Sequence, residues 1–205
     1  EMKGAFSSPD EVLEREIMNH LFPDTTYGCE SGGDPKNIPD LTYENFLNFH
    51  RTYYHPSNSY IYLYGNMDME EKLAFLDEHY LSHFDYLDVD SVIQEQKAFG
   101  ACQDVTLEYP VAENEGEEDN TYLSYNMVVG NAADSQMAMA FEVLDYALLS
   151  APGAPLKQAL LDVKAGKDVY GSYDDGILQP YFTVIAKGSN PDRKEEFVSV
   201  IRQVL

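Results

Sequence analysis

The chain has 205 residues, with 13 Lys+Arg against 36 Asp+Glu and a formal charge of −23. That balance excludes a nucleic-acid binder, because phosphate recognition depends on clustered cations and this surface repels a polyanion. A hydrophobic fraction of 44%, with 16 Tyr and 10 Phe, is too rich in core formers for a disordered acidic chain.

Ser8-Pro9-Asp10-Glu11 predicts a helix start: Ser8 is placed to cap orphan N–H groups, Pro9 suits the first helical position and Glu11 completes a capping box. This helix is expected to run to about Leu21. A loop follows through Ser31-Gly32-Gly33-Asp34-Pro35, where paired glycines permit positive φ and Pro35 cannot donate to a sheet. Thr42 is expected to cap a second helix, with Leu41 and Phe46 spaced for a hydrophobic staple, ending before Tyr54-His55-Pro56. From Ser59 to Tyr64, Tyr60, Tyr62 and Tyr64 alternate with Ile61 and Leu63, which predicts a strand with two filled faces. Met69, Leu73, Leu76 and Tyr80 mark a third amphipathic helix that frays near Phe84.

Periodicity fades from Asp85 to Cys102, which reads as a connector. Val105 to Tyr109 is expected to open a second unit as a strand, followed by an acidic hairpin tip or loop over Glu113 to Asp119. Tyr122 to Val129 reads as the next strand. Met137, Phe141, Leu144 and Leu148 form one helical stripe, and Pro155 opens a shorter helix with Leu156, Leu160, Leu161 and Val163. Strands near Val169 to Tyr173 and Tyr181 to Ala186 precede a last helix, begun at Asn190-Pro191, with Phe197, Ile201 and Val204 inward. The expected fold class is α+β, an antiparallel sheet with helices on one face. The start at Glu1 rather than Met, and an end inside an apolar-periodic run, lead us to expect a piece of a longer protein whose cut sheet edge favours self-association.

No complete catalytic site emerges from the residues alone. His79 and His83 are four apart, so their rings could share a helical face and grip a metal, but no Glu directly follows His79 as a zincin motif requires. They read as ordinary surface or half-buried histidines. Cys29 and Cys102 stand far apart, exclude a four-Cys zinc site and are read as reduced; no nucleophile signature surrounds Cys29. The Ser31-Gly32-Gly33 turn lacks the Lys-Ser/Thr pair of a phosphate cradle, and there is no Gly-x-Ser-x-Gly elbow. No run approaches the ~20 apolar residues of a bilayer span. Nor does the N-terminus carry a signal-peptide pattern, so a cytoplasmic location and no membrane partner are expected.

One ordered series of motifs carries more. Glu1-Met2-Lys3-Gly4, Leu21-Phe22-Pro23-Asp24, Tyr27-Gly28, Ser31-Gly32-Gly33-Asp34-Pro35, Ile38-Pro39-Asp40-Leu41-Thr42, Tyr54-His55-Pro56-Ser57-Asn58 and Tyr64-Gly65-Asn66 together resemble the presequence-protease branch of the pitrilysin and insulinase metallopeptidases. The matches are densest up to Asn66 and continue through Leu178-Gln179-Pro180-Tyr181-Phe182. The resemblance implies a zinc metalloendopeptidase of four homologous α+β units around a chamber that takes unstructured peptides. In that frame residues 1–87 close the first, catalytic unit, 88–103 connect, and 104–205 form most of the second. It also implies that Glu1 matches the family's third zinc ligand. The inverted His-x-x-Glu-His motif, which supplies the other two ligands and the general base, does not occur in this chain. The fragment alone is therefore expected to be inactive, with peptide substrates and the remaining units of the same polypeptide as its partners. The alternatives are a non-catalytic homologue serving as chamber wall or partner subunit, and an acidic module binding basic peptides.

Overall fold

The computed structural model describes residues 8–111 and 116–205, so Glu1 and part of the expected acidic tip over Glu113 to Asp119 lie outside the described residues. Nine longer elements are described: α1 (Pro9–Leu21), α2 (Tyr43–Tyr53), α3 (Met69–His79), β1 (Thr121–Val128), α4 (Ser135–Asp145), α5 (Pro155–Asp162), β2 (Asp168–Asp174), β3 (Tyr181–Ser189) and α6 (Lys194–Val204). They divide between two compact units: one takes the chain up to Ser31 and from Gln94 to Leu205, the other is Gly32–Ile93.

The first unit is built on β3. Its run Tyr181-Phe182-Thr183-Val184-Ile185-Ala186 is buried throughout, the signature of a strand covered on both faces. β1 and β2 flank it, each antiparallel, in the order β1-β3-β2. Because side chains alternate, Phe182, Val184 and Ala186 face one way, joining Leu123, Val169, Leu156, Leu160, Phe197 and Ile201 in the main core. α5 and α6 supply that cover with the stripe expected from their sequence. α4 runs on into a single π-helical turn, Tyr146–Ser150, which lowers Leu149 into the core at 3% exposure. Of the expected α4 stripe, Phe141 and Leu148 pack on the core while Met137 and Leu144 stay exposed. Each fully buried Leu, Ile or Phe contributes on the order of 1.5–3 kcal/mol of apolar transfer.

The opposite face of the sheet is also covered. Tyr181 and Ile185 of β3 pack with Ile17, Leu21 and Phe22 of α1 and its exit, and Tyr122, Val128 and Tyr170 border the cluster. α1 thus packs on the sheet face opposite to the one that α5 and α6 cover. Ser8 sits at the N-cap of α1 in extended conformation, but its side chain makes no capping bond, so the expected capping box is not formed.

The strand expected over Val105 to Tyr109 is not part of the sheet. Tyr109 instead donates its phenol to the carbonyl of Asn120 and packs edge-on against Tyr122. The connector is not a free tether at Gln96. That residue is 6% exposed, its side-chain carbonyl accepts from Asp24 N at 2.9 Å and its amide donates to Asp24 Oδ2 at 2.8 Å. On the other side Gln96 N donates to Gln179 Oε1 at 2.5 Å, and Gln179 returns a bond to the carbonyl of Gln96.

The second unit, Gly32–Ile93, contains α2 and α3. Thr42 caps α2 by accepting from Asn45 N at 3.1 Å, and Asp68 caps α3 by accepting from Glu71 N at 3.1 Å. Leu41 and Phe46 are both exposed, so no buried staple forms. No residue from 32 to 93 is buried. Ser59–Tyr64, expected as a strand, is extended but lies in no sheet, and residues 60–64 make no backbone hydrogen bond among the described residues. A strand is defined by its partner, and none is offered to it here.

Candidate functional site

The strongest polar constellation joins four elements. Pro9 and Asp10 begin α1, which places a carboxylate at the positive end of the helix, where the dipole favours it. Alternation along the strands turns Tyr122 of β1, Tyr170 of β2 and Lys187 of β3 to the face that α1 covers. Asp10 Oδ2 accepts from Lys187 Nζ at 2.8 Å and from the Tyr122 phenol at 3.4 Å, and its Oδ1 accepts from the Tyr170 phenol at 3.2 Å. The ammonium of Lys187 also sits 5.1 Å from the centre of the Tyr122 ring.

The charges of this cluster are settled by their neighbours. The Lys187 hydrogen bond, reinforced by the charge and by both phenols, holds Asp10 below the usual carboxylate range. The bond to Asp10 raises Lys187 above the ordinary lysine value. Burial, followed by the field of Asp10, pushes the Tyr170 phenol up to about 12. Near neutral pH the carboxylate is ionised, the ammonium protonated and the phenol intact. None of the three is poised to exchange a proton near pH 7, so the arrangement suits holding α1 on the sheet rather than general acid–base work.

A second polar knot lies at the end of β3, beside the starts of β1 and β2. Asp119, with φ of 57°, donates its N–H to Asn190 Oδ1 at 2.9 Å and accepts from Asn190 Nδ2 at 2.7 Å, with Lys167 Nζ 3.1 Å from its carboxylate. The Asn190 bond first, then Lys167, lowers its pKa. An open cleft of about 470 Å³ runs beside β2, lined by the Ser150–Ala154 turn, Lys157 and Gln158, with Lys157 its one charged side chain.

Of the sequence candidates, Glu1 lies outside the described residues. His79 is the last residue of α3 and His83 ends the short 3-10 turn after it; Tyr80 between them leaves helical geometry, so the two rings do not share one continuous helix face, and both are exposed. His79 packs against Phe75 instead. Cys29 and Cys102 are free and exposed. Gly33 takes φ of 86° in a loop, the conformation its paired glycines permit. Among the described residues no group of three His, Cys, Asp or Glu could hold a metal ion. Sequence reasoning missed the Asp10 cluster and the Gln96 clamp, since their members are up to 177 residues apart and no local pattern marks them.

Residues 40–205 match the family model described as Peptidase M16 inactive domain. Over its whole length the chain is 48% identical to Protein HypA of Clostridium perfringens and 36% identical to presequence protease 1, chloroplastic/mitochondrial, of Arabidopsis thaliana. It is 32% identical to the mitochondrial presequence protease of Xenopus laevis. The chain spans about a fifth of the length of these relatives, 21%, 19% and 20% respectively. In fold it is similar to an M16-like peptidase from Alicyclobacillus acidocaldarius, with a TM-score of 0.56 at 18% identity over 98% of this chain and 48% of the other.

Proposed function

Because the chain belongs to the M16 peptidase family, we propose that it is the non-catalytic stretch of a longer zinc metalloendopeptidase that hydrolyses short unstructured peptides inside a closed chamber. Residues 1–87 then end the catalytic unit, 88–103 connect, and 104–205 form most of the second unit. The observation that carries this reading is the alignment of the entire chain with presequence proteases, at 36% identity to the Arabidopsis thaliana protein.

The described residues do not fit a zinc site. Catalytic zinc takes three protein ligands and an open position, whereas these residues gather no three metal-capable side chains and the chain has no His-x-x-Glu-His motif. No step of hydrolysis is therefore assigned to them. Glu1 is the one ligand that this stretch contributes in our reading, and the rest comes from polypeptide beyond it. What the stretch does itself is mechanical: it fixes α1 against the sheet through Asp10 and the cluster around Phe22, and fixes the connector through Gln96.

The test is an assay of unstructured-peptide hydrolysis with and without a chelator, on the 205-residue chain and on the full-length parent. The expected result is chelator-sensitive cleavage by the parent, none by the chain, and loss of bound zinc in a Glu1→Gln parent. Zinc-dependent cleavage by the chain alone overturns the assignment. A second reading draws support from the inactive-domain match over residues 40–205: the whole parent is a non-catalytic homologue that serves as chamber wall or partner subunit. A folded parent that neither binds zinc nor cleaves would favour it.

A further inference from the structure

We propose that the outer face of α4 is a docking surface for a cationic amphipathic helix carried by another protein. The inference goes beyond the peptidase reading and does not depend on hydrolysis, since the occupant is a folded helix rather than an unstructured substrate.

α4 is a well-started helix, its N-cap Asp134 accepting from the N–H groups of Gln136 and Met137. One side of it packs on the core through Phe141, and Leu148 continues that side into the turn beyond. The opposite side is not polar. Met139, Val143 and Tyr146 recur at i, i+4 and i+7, one continuous line along the helix, and are 66%, 62% and 60% exposed. Met137 and Leu144, at 42% and 44%, widen that line. A surface helix ordinarily turns charge to water, and one that is apolar on all sides calls for a second neighbour. Scattered apolar side chains need no explanation, but a row of them over about three turns of one helix does.

The rim identifies the neighbour. No Lys, Arg or His occurs between Lys97 and Lys157, so this stretch of chain offers the strip no cation, while Asp134 and Glu142 beside it are exposed. Glu142 makes no ion pair among the described residues. An apolar line edged by unpaired carboxylate complements a helix whose own apolar line is edged by Lys or Arg, docked by i, i+4 and i+7 anchors. Met137 and Met139 suit a partner that is bound and released, because the thioether chain repacks around different shapes. A second copy of this chain is the poorer occupant. It would set Asp134 and Glu142 against the same carboxylates, between two molecules of −23 each.

Fluorescence anisotropy with a labelled peptide of about 18 residues, five helical turns, tests this. It is run on the 205-residue chain and on the full-length parent, with chelator present so that cleavage cannot remove the probe. One peptide carries Leu at i, i+3, i+4 and i+7 with Lys elsewhere; a second scrambles the same composition; a third replaces Lys by Glu. The first should bind chain and parent on the order of 10-fold or more tighter than either control, Val143→Asn should weaken it roughly 10-fold, and Glu142→Gln should flatten its salt dependence. Its advantage over the scrambled peptide should persist at 1 M salt, where only the charge contribution is screened. Equal binding of the first and scrambled peptides overturns the docking and leaves only the long-range field. Binding untouched by both Met139→Asn and Val143→Asn overturns the site. Binding by the chain but not by the parent overturns it too, with the rest of the parent as the cover; peroxide oxidation of Met139 that is fast in the chain and slow in the parent reads that cover directly. A chain that dimerises in light scattering and becomes monomeric with Val143→Asn overturns it in favour of a second copy.

Discussion

At the scale of single residues, the Asp10 cluster is the most informative feature, because its worth depends on pH in two opposite limbs. Asp10 is depressed in the folded state, so its contribution is present above the unfolded carboxylate value near ~4 and fades as pH falls through the lower folded value. Tyr170 and Lys187 are raised, so theirs is present below the unfolded values near ~10 and fades as pH climbs toward the folded ones, about 12 for the phenol. Thermal melts across pH should show a plateau between those limits. Lys187→Met should flatten the acid limb and, since both partners are roughly half exposed, cost only about 0.5–1.5 kcal/mol in a urea titration. Tyr170→Phe should soften the alkaline limb and, because that phenol also donates to Asp10, shrink the acid limb by less than Lys187→Met does. An alkaline limb unchanged in Tyr170→Phe would show that another raised group governs it, with Lys187 and Tyr181, the latter raised by burial and Asp174, the next to test.

At the scale of elements, β2 is held by an absence. A Cβ built on Gly171 would lie 2.1 Å from the carbonyl oxygen of Thr183 and 2.6 Å from Leu149 Cδ1, so strand and π-helical turn both close on a position that only glycine fits. Gly171→Ala should therefore cost about 1–3 kcal/mol as overpacking, read as a lowered denaturation midpoint. The helices were legible from the chain itself: Thr42 caps where expected, α3 begins at Met69 as its spacing marks, Pro155 opens α5, and Leu156, Leu160, Phe197 and Ile201 are buried on the stripes their spacing marks. The buried run of β3 was legible for the same reason. What failed was pairing: Tyr60 to Tyr64 has the alternation of a strand, yet alternation describes two faces and says nothing about who supplies the neighbouring backbone. Val105 to Tyr109 failed likewise, its Tyr109 spent on Asn120. The site was less legible than the fold. Asp10 looked like one first-turn acid among many, and Gln96 sat in a stretch without periodicity; only the folded chain brings Lys187 to the first and Asp24 and Gln179 to the second.

At the scale of the molecule, charge is the dominant property. A formal −23 makes a long-range field that should concentrate cationic peptides and repel anionic ones. Titrating the chain with a basic and an acidic peptide of equal length at low salt should favour the basic one, and the preference should vanish as the screening length shrinks to ~3 Å at 1 M salt. Under the proposed peptidase reading, steering by this stretch predicts salt-dependent cleavage of basic peptides by the full-length parent, and salt-independent cleavage would remove steering from the account. The packing of α1 on the distant sheet has a further consequence, in the order of synthesis. Asp10 and Tyr170 are 160 residues apart, and Tyr181 and Ile185, which cover Ile17, Leu21 and Phe22, come later still. At 5–20 residues per second, α1 leaves the ribosome on the order of 10 s before the strand it packs on exists. For that interval the nascent chain carries an uncovered greasy stripe, so the burden on holding chaperones falls on its translation.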